Sequence, residues 1–477
     1  MSQHAIRTLE QPGEVAHLAA QHAVALARAA QSGWARTAPA ERGQALRAAA
    51  GAVRAAADEL AELLHGETGK LPDEARGSVH AAADTLDQYG ELGPLHTAAS
   101  SRGRTLLGGW DATDIMVPGP RGVVAAMTPW NDPIPIACGL LGAAVVTGNT
   151  AVHKPSERCP RTGLALTHLV AHHLPDGVLV GVPGGPQVGA ALAAHPGVDL
   201  VAHVGGTATG RRIAEAAART GAAVLRENGG NDALVVDGDV DPTWAAEQAA
   251  IGAFTNAGQI CTSVERIFVH ERVAEEFVAA LVEQAQRRVP DRVSPEDVRM
   301  ARLVDRAHLE LVHSSVCDAV AHRADLHTGG ALPEDGGTYY PATVLTGCTR
   351  QMRVLSEETF GPVAPVQVVP SFEHGLAAAA DDEHGLAATV LTRSMEHAQR
   401  AWRELPVGTV KVNAVFGGGP GGAAQPRGAS GQGFGFGPEL LDEMTTTKVV
   451  HLSLAPPATE SGPAGDGGSL RQTVTRP

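Results

Sequence analysis

Apolar side chains recur at helical spacing through the first ninety residues. In ERGQALRAAAGAVRAAADELAELL, Leu46, Ala49, Val53, Leu60 and Leu64 fall three or four residues apart or at multiples of that spacing, which places them on one buried stripe of amphipathic helices. Residues from about 14 to 90 therefore read as a layer of Ala-rich helices. The period is lost between about 99 and 120, where ASSRGRTLLGGWDATDIMVPGPRG sets short β-prone runs between Gly and Pro and predicts a hairpin standing off the main body. From Gly122 short apolar runs alternate with helical segments: GVVAAMT, a helix to about 147, TAVHK, a helix from about 161, GVLVGV, a helix from about 187, and DLVAHV. That alternation implies a parallel sheet covered by helices on both faces. It restarts near residue 230 with a helix over 243–254, the strand ERIFVH, and an amphipathic helix carrying Val273, Phe277, Leu281 and Val282.

The chain has 477 residues, more than one hydrophobic core usually supports, so two α/β domains are the natural parse. Only 3% of residues are aromatic while 43% are apolar, which fits packing with small aliphatic side chains. A formal charge of -15 argues against nucleic acid or an anionic membrane as a partner, since both reward clustered Lys and Arg. The first thirty residues lack a basic start followed by an apolar core, and no window approaches a spanning length of about 18 apolar residues. A cytoplasmic protein is expected. The five cysteines, Cys138, Cys159, Cys261, Cys317 and Cys348, contain no CxxC pair, a pattern of reduced thiols with neither a disulfide framework nor a metal site. Residues 455–477, rich in Pro, Gly and Ser, read as a flexible tail.

Five segments offer chemistry. NAGQICTS puts Cys261 in a short polar turn before ERIFVH. A nearby helix dipole there would favour the thiolate, although buried structural thiols are common. VLRENGGND ends an apolar strand on Glu227, a place where a partly buried carboxylate can activate water; in isolation the plainer reading is a surface acid before a turn. MTPWNDP sets Asn131 just after a strand, as a neutral donor for an oxyanion or simply a turn residue. HVGGTATGRR follows a strand and opens a helix, so Gly205 and Gly206 let backbone amides approach a phosphate, or serve steric needs alone. HKPSE adds Lys154 and Glu157, suited to ribose hydroxyls or to an exposed loop pair.

Together and in this order, these segments resemble the aldehyde dehydrogenase superfamily over residues 15 to 453. The resemblance is carried by Pro129, Trp130 and Asn131; by Lys154, Pro155, Ser156 and Glu157; by Glu227, Asn228, Gly229 and Gly230; by Gly258, Gln259, Ile260 and Cys261; by Glu358, Phe360, Gly361 and Pro362; and by Asn413. Glu227 and Cys261 stand 34 residues apart, the family's usual interval.

The resemblance implies a Rossmann-like doubly wound cofactor domain at 1–103 and 121–229, a second α/β catalytic domain at 230–425, and a small β oligomerisation element at 104–120 and 440–454, making a homodimer or homotetramer. It implies that Cys261 attacks an aldehyde carbonyl while the Asn131 amide and the Cys261 N–H hold the oxyanion. Hydride passes to the nicotinamide, and Glu227 activates the water that hydrolyses the thioester. Glu358 and Phe360 position the nicotinamide end, Trp130 and Gly229 line the cofactor site, and Lys154 and Glu157 take the adenosine ribose. Glu157 favours NAD, with NADP the alternative.

Several positions depart from the family pattern. Gly206 replaces a serine that helps hold the pyrophosphate, and Phe434 stands where arginine is common. Gly139 and Leu140 replace an aromatic and a lysine, from which a roomier, less polar substrate tunnel is expected. Two other readings fit the same residues: a thiol esterase or acyl transferase that cannot bind nicotinamide, and a non-catalytic protein of the same fold.

Overall fold

The computed structural model describes residues 12–97, 106–107, 112–291, 293–416 and 425–453. The expected tail at 455–477, most of the expected hairpin's first arm, and part of the segment before Arg427 lie outside these residues.

The early periodicity becomes the helices Pro12–Arg36, Pro39–Ala55, Ala57–Thr68 and Pro72–Thr97. Leu46, Ala49, Val53, Leu60 and Leu64 are all buried, as one apolar stripe requires. They pack with Leu86 and Tyr89 against the helix Pro133–Val146, whose Leu140 and Leu141 are also buried. Small residues permit this close approach: a Cβ on Gly142 would lie 2.9 Å from Leu86.

Two large sheets follow. The first has six strands in the order Gly431–Gln432, Ala223–Glu227, Leu200–Val204, Val123–Met127, Thr150–Lys154, Leu179–Gly181. All are parallel except Gly431–Gln432, which runs antiparallel to Ala223–Glu227. Val123–Met127 comes first in the chain and lies in the middle, so the direction of winding reverses between it and Leu200–Val204. Ligands in such sheets bind at the carboxyl ends of strands beside that reversal.

The second sheet has seven strands, ordered Asp325–Thr328, Thr343–Thr346, Val363–Val369, Val264–His270, Asp232–Val236, Ala387–Leu391, Thr409–Val412. It is parallel apart from its first edge strand. A third, three-stranded sheet pairs Ala112–Pro120 with Thr445–Ser453 along nine residues in antiparallel register, Ile115 facing Val450. Leu106–Leu107 pairs with Ala112–Pro120 on the other side. Among the described residues no helix is long and apolar enough to cross a membrane.

Loops that flank strands of both large sheets line one cavity. Asn131, Gly205, Gly206 and Glu227 end or follow strands of the first sheet, whereas Gly229, Gly230, Cys261 and Glu358 precede strands of the second. Segments remote in sequence thereby meet in one cleft.

Candidate active site

A cavity of about 290 Å³ occupies that cleft, and its wall includes Trp130, Asn131, Gly205, Gly206, Glu227, Gly229, Cys261, Glu358 and Phe360. The structure thus gathers all three expected catalytic residues and six of the expected cofactor residues around one space. Lys154 and Glu157 line an adjoining cavity of about 520 Å³.

Cys261 follows a turn with unusual backbone. Asn256 and Ala257 adopt left-handed conformations (φ 50° and 56°), which Asn tolerates better than most residues. The Asn256 amide donates to the carbonyls of Asn131 (3.3 Å) and Gln259 (3.2 Å), so one side chain ties the Asn131 loop to the Cys261 loop. Glu74 accepts from the Asn256 N–H at 3.3 Å, and Lys70 pairs with Asp132 at 2.6 Å. Asn131 itself is buried.

The Cys261 thiol donates towards Glu227 Oε1 at 3.7 Å. Burial pushes the thiol's pKa well above its ordinary value, and the carboxylates of Glu227, Asp232 and Glu358 add to the effect. The expected helix-dipole help for the thiolate is corrected by this environment: the charges that surround the sulfur are mainly negative. Lys411, which donates to the Thr262 carbonyl at 3.4 Å, opposes them only in part. Burial also raises the Glu227 carboxyl to about 7, so near neutral pH it is poised to exchange a proton.

Glu358 accepts from the Gly230 N–H at 3.1 Å, and burial raises it to about 7. A side chain on Gly229 would collide with its carboxylate, which accounts for glycine at that position. Phe360, in a left-handed conformation (φ 53°), meets Trp130 edge-on with ring centres 5.6 Å apart. A residue that the sequence did not single out holds this loop: Glu265 accepts from the Thr359 N–H at 2.5 Å and the Phe360 N–H at 2.9 Å. Its signal was a carboxylate at the head of the apolar strand ERIFVH, a costly place for an unpaired charge.

The chemistry of the adjoining cavity fits a dinucleotide. Gly206 caps the twelve-residue helix Thr207–Ala218, whose first N–H groups lack helical partners and attract anions. The buried Thr207 Oγ1 has no hydrogen-bond partner among the described residues. These donors remain although the hydroxyl expected at 206 is missing. Lys154 Nζ donates to Glu157 Oε2 at 3.0 Å in the wall of this cavity.

Gly139 and Leu140, where a roomier, less polar tunnel is expected, line neither of these two cavities. Leu140 is buried among helices, and a Cβ on Gly139 would lie 3.1 Å from the ring of Phe436. A residue near the chain's end thus supplies the aromatic that 139 lacks. Phe434 donates its N–H to Glu443 at 3.2 Å.

Residues 7–450 match the family described as "Aldehyde dehydrogenase family". The chain is 37% identical over 344 residues to human retinaldehyde dehydrogenase 3, an alignment taking in 70% of this chain and 66% of that relative. Among solved structures it is similar to an NAD-dependent aldehyde dehydrogenase from Sinorhizobium meliloti, with TM-score 0.87 and 32% identity over 93% of this chain and 88% of the other. It is likewise similar to betaine aldehyde dehydrogenase from Staphylococcus aureus in complex with NAD+, with TM-score 0.87 and 27% identity over 93% and 89%.

Proposed function

The chain belongs to the aldehyde dehydrogenase family, and from that premise we propose that it oxidises an aldehyde to the carboxylic acid with a nicotinamide dinucleotide, through a thioester on Cys261. One observation carries the assignment of residues: the Cys261 thiol lies 3.7 Å from Glu227 in a cavity that Asn131 and Glu358 also line.

Glu227 takes the thiol proton, and the sulfur then adds to the aldehyde carbon while the carbonyl's π pair moves to oxygen. The Asn131 amide and the Cys261 N–H stabilise that oxyanion. A dinucleotide held there would supply the acceptor for the hydride that leaves the carbon, and the Cys261 adduct would thereby become a thioester. Glu227, having lost its proton to solvent, then deprotonates a water that adds to the thioester carbonyl. The C–S bond breaks, the acid leaves, and the thiol is restored. A base at Glu227 favours this hydrolysis over transfer of the acyl group to another thiol.

Lys154 and Glu157 would hold the adenosine ribose, and the Glu157 carboxylate favours NAD over a cofactor bearing a 2'-phosphate. Glu358, Phe360, Trp130 and Gly229 would form the nicotinamide end, with Gly205 and Gly206 at the pyrophosphate. The six-stranded sheet with its flanking helices would be the cofactor domain at 1–103 and 121–229, the seven-stranded sheet the catalytic domain at 230–425, and the three-stranded sheet the oligomerisation element. Val449 and Leu452, 59% and 51% exposed on the last strand, support a homodimer or homotetramer that covers them. Unpaired cysteines suit the cytoplasm.

An aldehyde panel assayed with NAD and NADP, followed by Cys261→Ala, tests the reading. Aldehyde-dependent reduction of cofactor in the wild type and none in the variant is expected. Undiminished turnover in Cys261→Ala would refute it.

A further inference from the structure

The two cavities share six lining residues: Pro129, Trp130, Arg158, Val204, Gly205 and Gly206. Arg158 is the single charged residue among them. A dinucleotide placed with its nicotinamide beside Cys261 and its adenosine beside Glu157 must run its pyrophosphate through this shared neck. The neck carries no hydroxyl at 206, so an arginine there answers a need for positive charge.

The side chain of Arg158 is already shaped for that task. Its guanidinium lies over the Trp130 ring, 5.2 Å from the ring centre, which leaves its N–H edge free of the aromatic face. Its Nε forms an ion pair with Asp305 Oδ2 at 3.0 Å, and the two side chains are 32% and 38% exposed. Arg158 follows a strand of the first sheet, whereas Asp305 caps the helix Arg306–Ala321 on the other wall and accepts from the His308 N–H at 2.8 Å. The pair therefore spans the cleft. A lone, partly exposed pair is weak, while an arginine and a phosphate make two parallel charge-assisted bonds.

We propose that Arg158 binds the cofactor's pyrophosphate and that Asp305 holds it across the cleft until the phosphate takes its place. The proposal rests on the reading of the two cavities as a dinucleotide site.

The test is equilibrium titration of the full chain with ADP-ribose, which has the pyrophosphate but no nicotinamide, and with adenosine, which has neither. Arg158→Gln is expected to weaken ADP-ribose binding by about 10- to 100-fold and to flatten its dependence on salt, with adenosine affinity kept within about threefold. Arg158→Lys should recover part of the loss, and Asp305→Asn should tighten ADP-ribose several-fold by freeing the arginine. The proposal is overturned if Arg158→Gln binds ADP-ribose within about twofold of wild type, if adenosine weakens equally, or if Asp305→Asn weakens ADP-ribose as Arg158→Gln does. A wild type that binds neither ADP-ribose nor NAD would overturn the dinucleotide reading itself, and this inference with it.

Discussion

Glu227 Oε1 lies 3.7 Å from the sulfur of Cys261, and the same burial that lifts the carboxyl to about 7 keeps the thiol protonated far beyond neutral pH. The nucleophile therefore depends on its neighbour for activation. Steady-state turnover should rise as pH climbs through about 7, where Glu227 loses its proton, and level off above. Glu227→Gln should abolish that limb and slow turnover by about 10²- to 10⁴-fold, with the first equivalent of cofactor reduction slowed as well, because the thiol has lost its proton acceptor. Rapid-mixing absorbance under excess aldehyde reads both quantities; a normal steady-state rate would remove Glu227 from the mechanism.

Glu227, Asp232 and Glu358 are each raised to about 7 by burial. A folded-state pKa above the unfolded value means that the stabilising protonated form is fully present below about 4.5 and is lost as pH rises through about 7. The neutral isostere Glu227→Gln should therefore unfold at a higher temperature than wild type at pH 8, by at most about 3 kcal/mol in stability. The two should converge near pH 5. Calorimetry at both pH values checks this, and a difference that stayed constant between them would contradict the linkage.

Asn256 joins the loops of Asn131 and Cys261 through one amide. Asn256→Ala should cost about 1–3 kcal/mol of stability, because two buried carbonyls lose a donor. It should also lower kcat by roughly tenfold as the oxyanion donors drift from the sulfur. The KM for cofactor should hardly change. Thermal melts and initial rates separate the effects, and a variant that loses stability but keeps kcat would confine Asn256 to a structural role.

Glu265 receives both N–H groups of the Thr359–Phe360 loop. Glu265→Gln turns one acceptor into a donor facing an N–H, so the loop that carries Glu358 should loosen. We expect a several-fold higher KM for NAD with the aldehyde KM little altered. Initial-rate titrations of each substrate decide the point, and equal rises in both constants would count against it.

Glu157 sits 3.0 Å from Lys154 at the edge of the larger cavity. Removing its charge in Glu157→Gln should improve kcat/KM with NADP by about tenfold relative to NAD, since repulsion of a 2'-phosphate disappears while the lysine remains. An unchanged ratio of the two cofactors would show that selection lies elsewhere.

Much of this protein was legible in one dimension. Short, largely apolar runs such as Val123–Met127 and Leu200–Val204, alternating with helices, point to parallel strands, because a strand buried on both faces favours apolar residues. Glu227 at a strand end, Cys261 in a turn and Asn131 after a strand are local facts, and their order along the chain is enough to suggest the chemistry. The partners of Asn256 and Glu265 were not legible, since each bonds loops more than ninety residues away. Nor was the fate of Gly139, whose missing bulk is met by Phe436 from a distant segment.

The amino-acid sequence by itself determined which elements form and which reactive groups stand at their ends, for these depend on near neighbours and on periodicity. Only the tertiary structure decided the proton affinity of Cys261 and Glu227, and that Arg158 should reach across to Asp305. Desolvation and Coulomb energy depend on distances between groups that the chain keeps far apart, and folding alone sets those distances.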